Sequence, residues 1–383
     1  MRLFVSAGEP SGDLHGANLI RALQARRPSV EVHGFGGERM ADAGCRLLHP
    51  LADHAYVGLF RVLGSVPHHM RLLDQADKCF RRQPFDALVM IDYPGFHWWL
   101  AKRAKALNIP VIYFVPPQLW AWGQWRLRKM RRLVDLALCP LTFEEAFFRK
   151  HHIPARYIGH PYFDELRQQR LDPDFMAAQR ARPGPVVALL PGSRNQELEY
   201  NLDSLLRAAR IIHTKRPDVR FLAACLKPKH QQQVAAKARG LDLPLEVHAG
   251  RTPEIIELAH SCVAVSGSVG LELLYRGKPT VVTYRANWLG LLLARRMMKS
   301  KYISLVNLLA GKMLYPEFLS SRCEADRMAE PVLRWLGERG AYGNVCGELQ
   351  ELCARVSQPG ACARAAEAVL ELVAGRTRGP LAA

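Results

Sequence analysis

Short apolar runs alternate with amphipathic stretches along the whole chain. Leu3 to Ala7 is a compact apolar run, and Leu14, Leu19, Ile20 and Leu23 follow it at helical spacing. Asp86 to Ile91 and Val111 to Val115 are further runs of strand length. Runs this short, without polar alternation, predict strands buried on both faces, and their alternation with helices predicts βαβ units and parallel sheets. The pattern breaks at Leu171 to Pro185, where Pro173, Pro183, Gly184 and Pro185 predict a linker. It then restarts with a strand at Val186 to Leu190, a helix at Glu197 to Lys215, and strands at Val219 to Cys225, Val263 to Val265 and Thr280 to Tyr284.

The expected fold is α/β, with two doubly wound Rossmann-like domains facing across a cleft and ligands at the carboxyl ends of the strands. The expected boundaries are residues 1–172 for the first domain, 173–345 for the second and 346–383 for a helical tail. Within that tail, Ala361 to Ala374 is an Ala-rich helical pattern that packs back on a domain or on a partner subunit.

A length of 383 residues agrees with two hydrophobic cores rather than one. No stretch approaches the roughly 18 to 20 apolar residues of a membrane span. The best run, Trp288 to Ala294, stops at Arg295 and Arg296, so no transmembrane anchor is expected. Met1 leads straight into a strand pattern without a signal-peptide order, which predicts a cytoplasmic location. Nine cysteines without a CxxC pair predict reduced thiols and no structural zinc. Fifty-three Lys and Arg against 35 Asp and Glu leave a net charge of +18, which draws the protein toward nucleic acid, anionic lipid or phosphorylated substrates. With no zinc finger, RNP-like aromatic motif or basic heptad region, nucleic acid is not the expected partner.

Candidate chemistry gathers where strands end. The first βα turn, Ala7-Gly8-Glu9-Pro10-Ser11-Gly12-Asp13, lacks the GxGxxG fingerprint and carries two carboxylates, so a nicotinamide cofactor is not expected. Ser11 and Asp13 are candidates either for capping the following helix or for ligand contact; Glu9 has no evident structural duty. Asp92 closes a buried-strand pattern, the position of a general base beside a cleft. Five of the seven tryptophans follow it: Trp98, Trp99, Trp120, Trp122 and Trp125, suited to an acyl or sugar site or to core packing.

In the second half, Pro191-Gly192-Ser193-Arg194 joins a strand to a helix and brings backbone N–H groups, a hydroxyl and a guanidinium toward one point. That composition suits a diphosphate, although the turn lacks the ending of a Walker loop. Ser266-Gly267-Ser268 is a second such turn. Glu272 lies one position beyond a capping box counted from Ser268, which leaves its carboxylate for a ribose diol. Tyr284-Arg285 ends another strand. Asn307 lies in the apolar stretch Ser304 to Gly311, as a ligand-binding or a buried structural amide.

Taken in order, these motifs, with Gly159-His160-Pro161 and Asn307-Leu308-Leu309-Ala310-Gly311, resemble the lipid A disaccharide synthase family over nearly the whole chain. The resemblance implies an inverting glycosyltransferase of the GT-B type. Such an enzyme joins UDP-linked 2,3-diacylglucosamine to 2,3-diacylglucosamine 1-phosphate, forming a β-1,6 disaccharide and UDP. It implies a first domain that binds acceptor and faces the membrane, a second that binds UDP-sugar, no cofactor, no metal, and a possible homodimer at the inner face of the cytoplasmic membrane. On that reading Asp92 or Glu9 is the base. Ser193, Arg194, Ser266, Gly267, Ser268, Glu272, Tyr284, Arg285 and Asn307 bind donor, and Ser11, Asp13, His97, Trp120 and Trp122 bind acceptor. The alternatives are another UDP-sugar glycosyltransferase or a UDP-sugar epimerase of the same fold.

The chain departs from the family pattern at Gly95 and His97, where Asp and Asn are usual. Further departures are Pro116-Pro117-Gln118-Leu119 before Trp120, Ser268 for Thr, and Arg61 for a common Glu. An apolar cluster of Val57, Leu59, Phe60, Val62, Leu63 and Val66, with basic residues Arg126, Arg128, Lys129, Arg131 and Arg132 and later Arg295, Arg296, Lys299 and Lys301, predicts reversible docking on anionic bilayers.

Overall fold

The computed structural model describes residues 1–54, 66–298 and 300–377. The chain divides into two units, Met1–Asp164 with Gln358–Ala383, and Glu165–Ser357.

Among the described residues, the first unit holds seven parallel strands: β1 (Arg2–Ala7), β2 (Glu31–Phe35), β3 (Cys45–His49), β4 (Ala87–Ile91), β5 (Val111–Phe114), β6 (Leu136–Cys139) and β7 (Ala155–Tyr157), in the order β3-β2-β1-β4-β5-β6-β7. The apolar runs become fully buried strands because both sheet faces are covered. Phe4, Leu88, Met90 and Tyr113 enter one core layer, while their alternating neighbours Leu3, Val5, Val89 and Ile91 enter the other. The second layer includes Ala365, Ala366, Val369 and Val373 of the tail helix Ala361–Thr377, whose small residues pack against the helix Pro10–Arg26. The Asp164 carboxylate accepts Gly360 N–H at 2.6 Å and Cys362 N–H at 3.3 Å, fixing the start of that helix.

The second unit repeats the plan with β8 (Val186–Leu190), β9 (Arg220–Cys225), β10 (Leu245–Ala249), β11 (Ser261–Val265), β12 (Thr280–Arg285) and β13 (Glu317–Ser320), ordered β10-β9-β8-β11-β12-β13. Its core joins Val187, Leu189, Phe221, Val263 and Val281 to Leu198, Leu202 and Leu205 of the helix Asn195–Lys215. Both sheets are Rossmann-like, as expected.

Two expectations change. The linker predicted at Leu171 to Pro185 contains a helix, Pro173–Arg180. Asp172 caps it by accepting the N–H groups of Asp174 and Phe175, each at 3.0 Å, and Pro173 occupies a first-turn position where its missing N–H costs nothing. The tail also divides: the helix Arg339–Val356 belongs to the second unit, burying Leu349 and Leu352, and only the chain from Gln358 belongs to the first.

Candidate functional site

In the first sheet the connections from β1 and β4 leave in opposite directions, and such a reversal opens a crevice at the strands' carboxyl ends. Ala7 pairs with Ile91 in register, so Gly8-Glu9 and Asp92-Tyr93 emerge side by side. A Cβ on Gly8 would lie 2.3 Å from the Tyr93 ring, which explains glycine there. Asp92 and Tyr93 are both left-handed, at φ 52° and 48°, a conformation that residues with a Cβ hold only under constraint. That constraint is visible: the Asp92 carbonyl accepts Tyr113 Oη at 2.8 Å and pairs with His97 Nδ1 at 2.6 Å. The Tyr93 hydroxyl lies 3.1 Å from His69 Nε2. Burial pushes the Asp92 carboxyl above its usual range, against the Tyr93 N–H and the nearby His15. Glu9 is half-buried at the N-cap of the helix Pro10–Arg26, its carbonyl accepting Asp13 N–H at 2.9 Å.

Two residues expected at the acceptor serve the fold instead. Asp13 spends both carboxylate oxygens on backbone N–H groups, those of Gly37 at 2.7 Å, Met40 at 3.1 Å and Arg39 at 3.2 Å. It therefore anchors the helix Glu38–Asp42, a neighbour rather than its own helix. His97 is fully buried, with Nε2 2.9 Å from Ser6 Oγ, and burial drives its pKa down to about 4. It is a neutral imidazole inside the protein, behind the Asp92 turn. Ser11 is exposed at the start of its helix.

The tryptophan group separates. Trp98 joins the core. Trp120 donates its indole N–H to Glu144 Oε1 at 2.8 Å, and Leu141 N–H reaches the other carboxylate oxygen at 3.2 Å. Glu144 is fully buried, which raises its pKa to about 7 against those two donors. Trp99, Trp122 and Trp125 are exposed by 57%, 45% and 67%. Lys102 sits 4.5 Å from the Trp99 ring centroid and the Arg126 guanidinium 4.1 Å from that of Trp122.

In the second sheet the corresponding reversal lies between β8 and β11, where Leu190 pairs with Ala264. The turn after β8 passes through Gly192 at φ 103°, where a Cβ would meet Glu197 at 2.7 Å. Glu197 Oε2 accepts the N–H groups of Ser193 at 2.9 Å and Arg194 at 3.1 Å, and its Oε1 meets Arg194 Nη1 at 3.2 Å. The N–H groups expected to meet a phosphate thus hold a carboxylate, while the Arg194 side chain stays largely exposed. After β11, Ser266 Oγ donates to Ile303 O at 2.9 Å, and Gly267 and Ser268 lie exposed.

Glu272 is buried and pairs with Arg276 Nε at 3.2 Å, so it is not the open carboxylate that its spacing predicts. Tyr284 is half-buried against the core. Arg285 is fixed by its N–H to Asn201 Oδ1 at 2.7 Å and by its Nε to Ser321 O at 3.2 Å. The contacts of Asn307 fit the structural one of its two readings. Its amide oxygen accepts Leu314 N–H at 2.9 Å and Tyr315 N–H at 2.8 Å, and its amide nitrogen donates to Tyr315 O at 2.7 Å and Glu317 Oε2 at 3.0 Å. Four bonds consume the capacity of a buried amide.

Sequence reasoning missed Glu197 and Asn201. Asn201 joins the Glu197 carbonyl, at 2.8 Å, to Arg285, and so links the turn after β8 to the end of β12. Its signal was a polar side chain on the apolar stripe of Leu198, Leu202 and Leu205. The apolar patch from Val57 to Leu63 lies outside the described residues, as do Lys299 and the side chains of Val66 and Arg295. Among the described residues, no helix is long and apolar enough to cross a membrane.

Residues 3–370 match the family described as lipid-A-disaccharide synthetase. The chain is 36% identical to the lipid-A-disaccharide synthase of Myxococcus xanthus over 379 residues, 97% of each chain. It is also 36% identical to that of Anaeromyxobacter dehalogenans over 377 residues, 96% of this chain and 97% of the relative. Among solved structures it resembles Staphylococcus aureus MnaA with UDP, at a TM-score of 0.69 and 11% identity over 99% of this chain and 98% of that one. It also resembles the UDP-GlcNAc 2-epimerase of Neisseria meningitidis bound to UDP-GlcNAc, at a TM-score of 0.63 and 12% identity over 98% and 100%. At such identities the structural likeness concerns the fold alone.

Proposed function

The chain belongs to the lipid-A-disaccharide synthetase family, and we propose that Asp92 is the general base of its sugar transfer while the Pro191 to Arg194 turn receives the departing diphosphate. The enzyme is a glycosyltransferase that moves 2,3-diacylglucosamine from its UDP derivative to 2,3-diacylglucosamine 1-phosphate, giving the β-1,6 disaccharide 1-phosphate and UDP. The first unit takes the acceptor and the second the UDP-sugar. Asp92 removes the proton of the acceptor 6-hydroxyl as that oxygen attacks the anomeric carbon, the C–O bond to the diphosphate breaks, and the configuration inverts.

The observation that carries this assignment is the Asp92 turn. A carboxylate held at the carboxyl end of β4 by a strained backbone, with burial raising its proton affinity, has the properties of a base. Glu9, on the adjacent strand end, is its positioning partner. Arg194 neutralises charge on the leaving diphosphate, with Ser193, Ser266, Gly267 and Ser268 nearby in the donor half and Tyr284 and Arg285 at the end of β12. Ser11, Trp120 and Trp122 belong to the acceptor side. Asp92→Asn retains shape and removes basicity, so it should cut turnover by roughly 100-fold or more with UDP binding little changed. Near-normal turnover would eliminate Asp92, and Glu9→Gln then becomes the decisive variant.

Peripheral attachment to the inner face of the cytoplasmic membrane is also proposed, since both substrates carry acyl chains. Its support is the exposed Trp99, Trp122 and Trp125 beside Lys102, Arg126 and the exposed Arg128, Lys129, Arg131 and Arg132. Indole rings favour the lipid headgroup level and basic side chains favour anionic lipid. Homodimer formation is proposed on the family resemblance and is tested by sedimentation equilibrium.

A further inference from the structure

Whatever holds the Asp92 turn decides where its carboxylate stands, and buried groups hold it through one backbone oxygen. The Asp92 carbonyl accepts Tyr113 Oη at 2.8 Å and lies 2.6 Å from His97 Nδ1, while His97 Nε2 lies 2.9 Å from Ser6 Oγ. A carbonyl oxygen only accepts, so Nδ1 carries the ring proton and Nε2 receives the Ser6 hydroxyl proton. Both ring nitrogens are therefore engaged, and the tautomer is set by the partners.

The three anchors come from separate strands and a helix. Ser6 lies on β1, Tyr113 on β5, and His97 on the helix Pro94–Ala106 that the turn itself opens. His97 and Tyr113 are both fully buried. Two consecutive left-handed residues, neither of them glycine, persist only when their surroundings over-determine them. A side chain that grips the carbonyl between φ 52° of Asp92 and φ 48° of Tyr93 supplies that determination directly.

We propose that His97 is a positioning residue for the sugar transfer: it clamps the Asp92 carbonyl together with Tyr113 and so fixes the carboxylate at the carboxyl end of β4. The inference rests on Asp92 being the base. His97, wholly enclosed, acts on the reaction only through that turn. Burial also keeps its ring neutral down to a pKa of about 4, so the clamp holds one protonation state across the neutral range. An Asn side chain in its place would offer an amide N–H to the same carbonyl but is shorter than the imidazole and would not span to Ser6 Oγ as well.

The test compares His97→Leu, His97→Asn, Tyr113→Phe and Asp92→Asn in the full chain. Turnover and acceptor KM are measured with UDP-diacylglucosamine and diacylglucosamine 1-phosphate, UDP affinity by calorimetry, and folding by circular dichroism melting. His97→Leu removes the clamp and should lower kcat about 10- to 100-fold, as sub-ångström displacement of a reacting group does, with acceptor KM and UDP affinity nearly unchanged. His97→Asn should restore kcat to within about threefold of wild type. Tyr113→Phe removes only the second donor and should lower kcat by less.

A folded His97→Leu variant with wild-type kcat overturns the proposal while leaving Asp92 as base, provided Asp92→Asn is inactive. If His97→Asn is as slow as His97→Leu, the carbonyl contact is not what matters and the clamp is likewise rejected. Should His97→Leu fail to fold, Tyr113→Phe and His97→Asn decide: loss of kcat in the first with retention in the second supports the clamp, and no change in the first overturns it. Near-normal turnover of Asp92→Asn sinks both the base assignment and the clamp.

Discussion

Glu197 holds Arg194 twice, accepting its backbone N–H at 3.1 Å and its guanidinium at 3.2 Å. The side-chain half of this contact is exposed at Arg194, and exposed ion pairs are worth about 0 to 1 kcal/mol. On the proposed donor site a diphosphate would compete with Glu197 for the same guanidinium, through charge-assisted bonds worth about 1.5 to 3 kcal/mol.

Arg194→Ala should therefore weaken UDP binding by about 10- to 100-fold, a loss of that same order. Isothermal titration of both proteins with UDP measures it. Equal affinities would remove Arg194 from the donor site.

Asp13 anchors three N–H groups of a neighbouring helix, so its role is read in stability. Asp13→Ala leaves buried donors without an acceptor and should cost about 1 to 3 kcal/mol in urea unfolding of the full chain. Acceptor KM should stay near wild type at temperatures where the variant is folded. A stable variant with a raised acceptor KM would return Asp13 to the acceptor side.

The raised pKa of Asp92 has one sign for activity and another for stability. The base acts as carboxylate, so kcat should fall as pH drops through a value above the ordinary carboxyl range. For stability, a folded-state pKa raised by burial contributes stability that is fully present below the unfolded pKa and is lost as pH rises through the folded one. Asp92→Asn resembles the protonated form, so it should melt above wild type at pH 7, with the gap closing under acid. Melting curves at several pH values check this. A variant less stable than wild type at pH 7 contradicts the burial argument.

Membrane docking should have two components. Wild type should co-sediment with anionic vesicles, less so at high salt but not zero, because screening removes the charge contribution and leaves the apolar one. Trp122→Ser with Trp125→Ser should lower the salt-resistant part. Phe60→Ser with Leu63→Ser tests the sequence-identified cluster independently. If neither pair of changes alters sedimentation, neither surface docks, and if wild type does not sediment at low salt, peripheral attachment is rejected.

The strands and their turns were legible because each buried run carries its own local signature. Ala87–Ile91 is apolar at every position, and Asp92 ends it whatever the rest of the chain does. The same holds for Val186–Leu190 and the turn to Arg194. What escaped were partners fixed by folding. Asp13 finds Gly37 across 24 positions, and His97 finds Ser6 across 91. Neither distance leaves a trace in local spacing, so Asp13 read as a cap of its own helix or a ligand, never as the anchor of a neighbouring helix, and His97 read as a ligand. Asn307 stayed open between its two readings for a related reason: its partners, Leu314 to Glu317, lie close in sequence, but only the return of the chain into β13 brings them to the amide. The helix Pro173–Arg180 was hidden because proline was weighed as a breaker, although after Asp172 it is a helix starter.

The reaction itself is the central claim, and product analysis tests it most directly. The protein is incubated with UDP-2,3-diacylglucosamine and 2,3-diacylglucosamine 1-phosphate, and the mixture is resolved by mass spectrometry and by NMR of the new linkage. The account predicts equal amounts of UDP and a β-1,6-linked disaccharide 1-phosphate, with neither formed when the acceptor is omitted. An isomerised UDP-sugar without disaccharide, or UDP released without a new glycosidic bond, would contradict it.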